Sequence, residues 1–190
     1  MTGGARRRGR LQLVLIAAVF LGPLAVAAWM YHQGSLAPSG RTNHGFLLEP
    51  IASLADAVPA SPVLGRYPDT WLLLYANASR CDAVCRDALY TLRQARRMLG
   101  KDMTRLNRVF LHGETAPDTL LLRQEHAGLA AIEDTDLMRL LDEKTPAAVP
   151  AGGYFLIDPL GNLVMYFPPD LNPADMVDDI KHLLRLSNIG

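Results

Sequence analysis

The chain is short of cysteine and has no net charge. It contains 2 cysteines in 190 residues, and 19 basic side chains balance 19 acidic ones. A neutral chain has no broad field to draw in nucleic acid, so no nucleic-acid partner is expected. There is no glycine-rich phosphate loop and no nucleophile elbow, which argues against nucleotide-dependent and α/β-hydrolase chemistry. There is no internal repeat, and low complexity is confined to one linker-like stretch.

Charge is also missing locally. Residues 11–31 hold no charged side chain, and about 20 apolar residues are enough to cross a hydrocarbon core. Arg6, Arg7, Arg8 and Arg10 precede them. By the positive-inside rule the N-terminus stays in the cytoplasm and the rest is exported, with Trp29 and Tyr31 at the interface. A cleaved leader is the competing reading, with 13–22 as its apolar region and Ala25-Val26-Ala27 as its cleavage site. The apolar run continues past Ala27, which favours a retained anchor. In a bacterium-like cell either reading puts the C-terminal part in the periplasm, and the anchor makes it a single-pass inner-membrane protein. A dithiol can be oxidised in that compartment. The expected division is a basic tail at 1–10, an anchor at 11–31, a linker and lead-in at 32–68, and a folded domain at 69–190.

Residues 32–68 are rich in Pro, Gly, Ser and Ala. Within them, 43–50 reads as a turn and a short strand closed by Pro50. Beyond Asp69 the pattern sharpens. Residues 71–76 form a continuous apolar run, as in a strand buried on both faces. Residues 82–99 carry a helical stripe of Val84, Cys85, Ala88, Leu89, Leu92, Ala95 and Leu99, stopped by Gly100. A second strand is expected around Val109-Phe110-Leu111, with helices over 116–126 and 135–141. Segments 153–157 and 163–167 flank Asp158-Pro159-Leu160-Gly161-Asn162 and predict a hairpin. A last helix starts at Asn172-Pro173. This order predicts an α/β domain with a central sheet flanked by helices.

The two cysteines share one motif, Cys81-Asp82-Ala83-Val84-Cys85, between the apolar strand and the striped helix. A helix N-terminus favours anions because its first N–H groups lack intrahelical partners. A thiolate there is easier to form, exchanges disulfides and binds soft metals. Arg80 and Arg86 flank the pair and would reinforce this, partly offset by Asp82 and Asp87. A purely structural disulfide stays open as the alternative.

The dithiol at a strand-to-helix junction, followed by a βα unit and a hairpin, resembles the thioredoxin-like superfamily. The three-residue gap in Cys81-x-x-x-Cys85 and the segment from Gly153 to Asn162 resemble its Sco/SenC branch. Asn43-His44-Gly45 and Leu99-Gly100-Lys101-Asp102-Met103 add a likeness to membrane-anchored bacterial proteins of cytochrome c oxidase assembly. The resemblance implies a thioredoxin-like sheet behind one transmembrane helix, and a role in maturing the oxidase copper site. Its implied partners are an oxidase subunit or a copper chaperone. It implies Cys81 and Cys85 as the active dithiol, either exchanging disulfides or passing on Cu(I). Sco-type proteins add a histidine shortly before the hairpin, but no histidine lies between His126 and His182 here. His112, at the strand end beside the dithiol, is the expected substitute metal ligand, with His44 next. Thioredoxin-like oxidoreductases place a cis-proline in the loop before the hairpin, and Pro150 occupies that loop. The rival function is a non-catalytic assembly scaffold braced by the Cys81–Cys85 disulfide.

Overall fold

Trp71 to Tyr75 are five consecutive buried residues, and they lie in a central strand of the sheet. A run with no polar alternation can be satisfied only by a strand covered on both faces. The computed structural model describes residues 3–32 and 43–187. They belong to two units, 1–42 and 43–190.

The first unit is helix α1, Gly3–His32. Within it Arg8–Met30 is 23 residues long with a mean hydropathy of 2.4. At 1.5 Å per residue that is about 34 Å of helix, enough to span a hydrocarbon core of about 30 Å.

The second unit is a six-stranded mixed sheet in the order β1-β6-β5-β2-β3-β4. Its strands are β1 (Phe46–Ser53), β2 (Trp71–Asn77), β3 (Leu106–His112), β4 (Leu129–Glu133), β5 (Tyr154–Ile157) and β6 (Asn162–Phe167). Strands β2, β3 and β4 run parallel, while β5 is antiparallel to β2 and β6. Alternation along β2 sends Trp71, Leu73 and Tyr75 into one core layer, and Leu72 and Leu74 into the other. Helices α4 (Ala83–Met98) and α7 (Pro173–Leu186) contribute to the first layer. The second is built with α2 (Leu54–Ala57), α3 (Pro62–Arg66) and α6 (Thr135–Lys144). Helix α5 (Thr119–Glu125) links β3 to β4.

The expected hairpin is β5–β6. Asp158 Oδ1 accepts from the N–H groups of Leu160 and Asn162 at 2.9 and 2.8 Å, and Gly161 takes a φ of +80° that suits glycine. Asn172 caps α7 by accepting from Ala174 N–H at 3.0 Å. Strand β4 carries no signal beyond a short small-residue run, so the sequence did not single it out.

The lead-in differs from its reading. β1 continues through Pro50 as an edge strand paired with β6, with an irregularity between Leu47 and Ala52. An edge strand tolerates proline because its outer N–H needs no partner. Two buried polar contacts fix this segment. Asp179 of α7 accepts from the His44 and Gly45 N–H groups, each at 2.8 Å. Ser61 Oγ donates to Asp134 Oδ2 at 2.5 Å, and Asp134 also caps α6 through Leu137 N–H at 2.9 Å.

Candidate functional site

The loop from β2 to α4 carries the dithiol. Asn77 Oδ1 accepts from Ser79 N–H at 2.8 Å, which turns the chain after the strand. Gly113 N–H donates to Asn77 O at 3.3 Å, tying the end of β3 to the same turn. A Cβ at Gly113 would lie 2.3 Å from Ala78 O, so only glycine allows this approach. Asp82 then starts α4 as its N-cap, accepting from Cys85 N–H at 3.0 Å.

Cys81 and Cys85 are joined as a disulfide with a Cα–Cα distance of 5.1 Å. Their surroundings differ. Cys85 is on the buried stripe of α4 and fully covered, whereas Cys81 is half-buried. Cys81 borders a cavity of about 830 Å³ between the head of α4, the loop at 115–118 and α5. Arg80 and Arg86 line it near the disulfide, and Asp118 and Glu125 line it as well. Neither arginine has an ion-pair partner among the described residues.

On the same core layer as Cys85 lie Tyr75, stacked on Phe110 at 5.9 Å, and Tyr154. Burial, then Tyr154 and Asp82, pushes the Tyr75 phenol above its ordinary range. Burial raises Tyr154 as well, and its hydroxyl donates to Ala88 O at 3.4 Å. Both stay neutral at physiological pH and belong to the core layer that holds Cys85.

Two expected site residues occupy the predicted places in the chain but do not line the cavity at Cys81. The peptide bond before Pro150 is trans; the cis proline among the described residues is Pro50, at the sheet edge. Pro150 is exposed, and the cavity at Cys81 is not lined by it. Its carbonyl accepts from Tyr166 Oη at 2.5 Å, and the same hydroxyl accepts from Gly153 N–H at 3.0 Å. The hairpin therefore holds this loop through Tyr166, and the loop needs no cis bond to keep its shape.

His112 is the second of these residues. It ends β3 opposite Asn77, as its position predicted, but it is not brought together with the dithiol. Its Nδ1 is 2.7 Å from Gly113 O, and its ring tilts against Phe110 at 6.1 Å. His44, the next candidate, pairs with Asp179 at 3.2 Å instead. Among the described residues no three His, Cys, Asp or Glu side chains gather as a metal site. The sulfur donors stand as a pair without a third ligand.

Sequence reasoning did not find the cavity wall at 115–118 or the role of Gly113. Gly113 follows the last residue of a predicted strand, and a glycine there is a usable sign of close backbone approach.

A mixed sheet with helices on both faces and a dithiol heading a helix after its central strand defines a thioredoxin-like protein. Residues 71–187 match the family described as transmembrane-like, thioredoxin-like, C-terminal domain. Residues 4–34 match the transmembrane-like N-terminal domain, and the chain belongs to this transmembrane-like, thioredoxin-like family. Among solved structures it resembles copper-bound yeast Sco1, with a TM-score of 0.52 and 19% identity over 65% of this chain and 83% of that one. A second structure of yeast Sco1 gives 0.51 and 20% identity, covering 65% and 84%. Copper-bound ScoI of Arabidopsis thaliana gives 0.50 and 14% identity, covering 65% and 89%. At these identities the shared property is the fold. No curated protein matches the chain in sequence.

Proposed function

We propose that this chain is a membrane-anchored thiol–disulfide exchange factor of the periplasm, serving maturation of the cytochrome c oxidase copper site. One observation carries the reading. The Cys81–Cys85 disulfide heads α4 with one sulfur at the mouth of a cavity and the other sealed in the core. That asymmetry suits an attacking thiol and a resolving thiol. The Sco-like fold supports the oxidase context, as does the resemblance of the dithiol motif and hairpin to the Sco/SenC branch.

The reaction begins from the reduced dithiol. The Cys81 thiolate attacks a disulfide on the partner, an oxidase subunit or a copper chaperone. An S–S bond forms between Cys81 and the partner, and the partner's other sulfur leaves as a thiolate. Cys85, deprotonated, then attacks Cys81 Sγ. The Cys81–Cys85 bond closes and the partner's second thiolate is released. Two electrons pass to the partner, and an external dithiol reductant must restore the pair. Pro150 has no part in this scheme.

Cu(I) transfer is the second reading, favoured by the Sco fold, since yeast Sco1 and Arabidopsis ScoI were solved with copper bound. Here Cu(I) would be cargo on two thiolates, which a soft ion accepts. No third donor joins the two sulfurs among the described residues, which ranks this reading below exchange. A scaffold with a bracing disulfide is the third.

Oxidase maturation in cells separates them. Cys81→Ser and the double Cys81→Ser/Cys85→Ser variant of the full chain should both lose most of the copper-site absorbance of the oxidase. Rescue by added copper would favour metal transfer. Normal maturation with the double variant would leave only the scaffold.

A further inference from the structure

Four arginines meet beyond the dithiol end of α4. Arg93, Arg96 and Arg97 lie in its second half, and Arg108 comes from β3. They border a cavity of about 370 Å³ that also reaches Glu125 and Ala127. Alternation along β3 puts position 108 on the face of Leu106 and Phe110, which packs into the same core layer as α4. A guanidinium thus occupies a place where an apolar side chain would be expected.

Arg108 is only 3% exposed. Its Nη2 donates to Ala127 O at 2.7 Å. Its Nε and Nη1 have no hydrogen-bond partner among the described residues, and neither does Arg93 Nε. Buried cations are ordinarily paired with an acid, because an unpaired one is strongly unfavourable. None of these four arginines forms an ion pair among the described residues. Arg93 and Arg96 are instead held by backbone carbonyls, Glu125 O and Leu106 O. Burial, then Arg96, Arg93 and Arg97, lowers the Arg108 guanidinium to about 10. His126 is also pushed below its ordinary range, by burial and then by Arg93. Glu125 is the one acidic residue bordering the cavity, against four guanidinium groups, so positive charge prevails there, and three buried guanidinium N–H groups are unspent.

We propose that this cavity binds a phosphate-type oxyanion, gripped by Arg108 from the sheet and by Arg93 and Arg97 from α4. The planar fork of a guanidinium matches two oxygens of a tetrahedral anion, which lysine would not do. The cavity is large enough for a phosphate and its substituent. A soluble phosphate and the phosphomonoester headgroup of an anionic lipid share this chemistry. The site is independent of the redox reading, and it places a second ligand-binding function on the same helix as the dithiol.

The test uses the full chain in two settings. In neutral detergent, inorganic phosphate is titrated against sodium chloride at matched ionic strength, and thermal unfolding is followed. In phosphatidylcholine nanodiscs, unfolding is compared with and without phosphatidic acid. A saturable rise in Tm with inorganic phosphate assigns a soluble ligand. A rise confined to phosphatidic acid assigns the headgroup. In either case Arg97→Ala should weaken the apparent affinity about tenfold or more, since a charge-assisted contact is lost. Arg97 is exposed, so this variant keeps the fold even if Arg108→Met does not. No saturable rise in either setting overturns the proposal, as does a rise that Arg97→Ala shares unchanged.

Discussion

A single missing side chain sets the geometry around Cys81. Gly113 lets the end of β3 touch the turn that delivers the cysteine, with the site of its absent Cβ 2.3 Å from Ala78 O and 3.2 Å from Ala78 Cα. Backbone atoms cannot swing aside as a flexible side chain would. Gly113→Ala should therefore cost about 1–3 kcal/mol, the range for overpacking, and should displace the 78–81 turn. Urea unfolding of the variant measures the first, and backbone amide shifts of Ala78 to Cys81 measure the second. A variant with unchanged stability and unchanged shifts would mean the two loops are not in contact. Cys85 illustrates a different constraint. It occupies a stripe position between the N-cap and Ala88, so its burial follows from helical periodicity alone. Cys81 lies before the helix and escapes that periodicity, which leaves its sulfur at a cavity.

At the scale of elements, the joint between β1 and α7 decides whether the lead-in belongs to the domain. Asp179 is buried and its carboxylate takes two backbone N–H groups from His44 and Gly45. Asp179→Ala leaves both donors without that partner. The expected loss is about 2–6 kcal/mol, since each of the two unsatisfied groups costs about 1–3 kcal/mol. Hydrogen exchange should accelerate in β1 before it does in β2 or β3. A loss under about 0.5 kcal/mol, within the range of ordinary surface changes, would show that the joint is not what holds β1. This joint also marks where the sequence stopped being readable. Strand β2 was legible as an unbroken apolar run, and helices α4 and α7 because each repeats an apolar period over many residues. The hairpin was legible because Asp158 and Gly161 are turn residues with a mechanism. β1 was read as ending at Pro50, because proline breaks an interior strand and nothing local says that this strand is an edge. β4 was missed because its short run of small residues owes its place to pairing with β3. The partner of Asp179 is not a local property: His44 and Gly45 lie 135 and 134 residues away in the chain, and no spacing rule encodes that contact.

At the scale of the whole molecule, the chain joins an apolar helix to a domain whose chemistry depends on compartment. The dithiol was legible as a motif. The cis bond expected at Pro150 is not there, because a family pattern was carried onto a loop whose shape Tyr166 sets instead. Orientation remains a matter of charge. Arg6, Arg7, Arg8 and Arg10 stand before the apolar run, and 11–31 is free of charge. Basic residues flanking a span stay on the cytoplasmic side, so the thioredoxin-like unit should face the periplasm. The cysteines themselves report on this, since the chain has no others. Spheroplasts are treated with a membrane-impermeant phosphine reductant and then with an impermeant maleimide. Cys81, being the half-buried member of the pair, should be labelled in intact spheroplasts, and a Cys81→Ser control should lose most of the signal. Fusing a periplasm-dependent reporter after Gly190 should give activity in the same cells. Labelling that appears only after lysis, with an inactive reporter, would place the dithiol in the reducing cytoplasm. In that compartment a disulfide would not persist, and both the exchange cycle and the oxidase partners proposed for it would have to be abandoned.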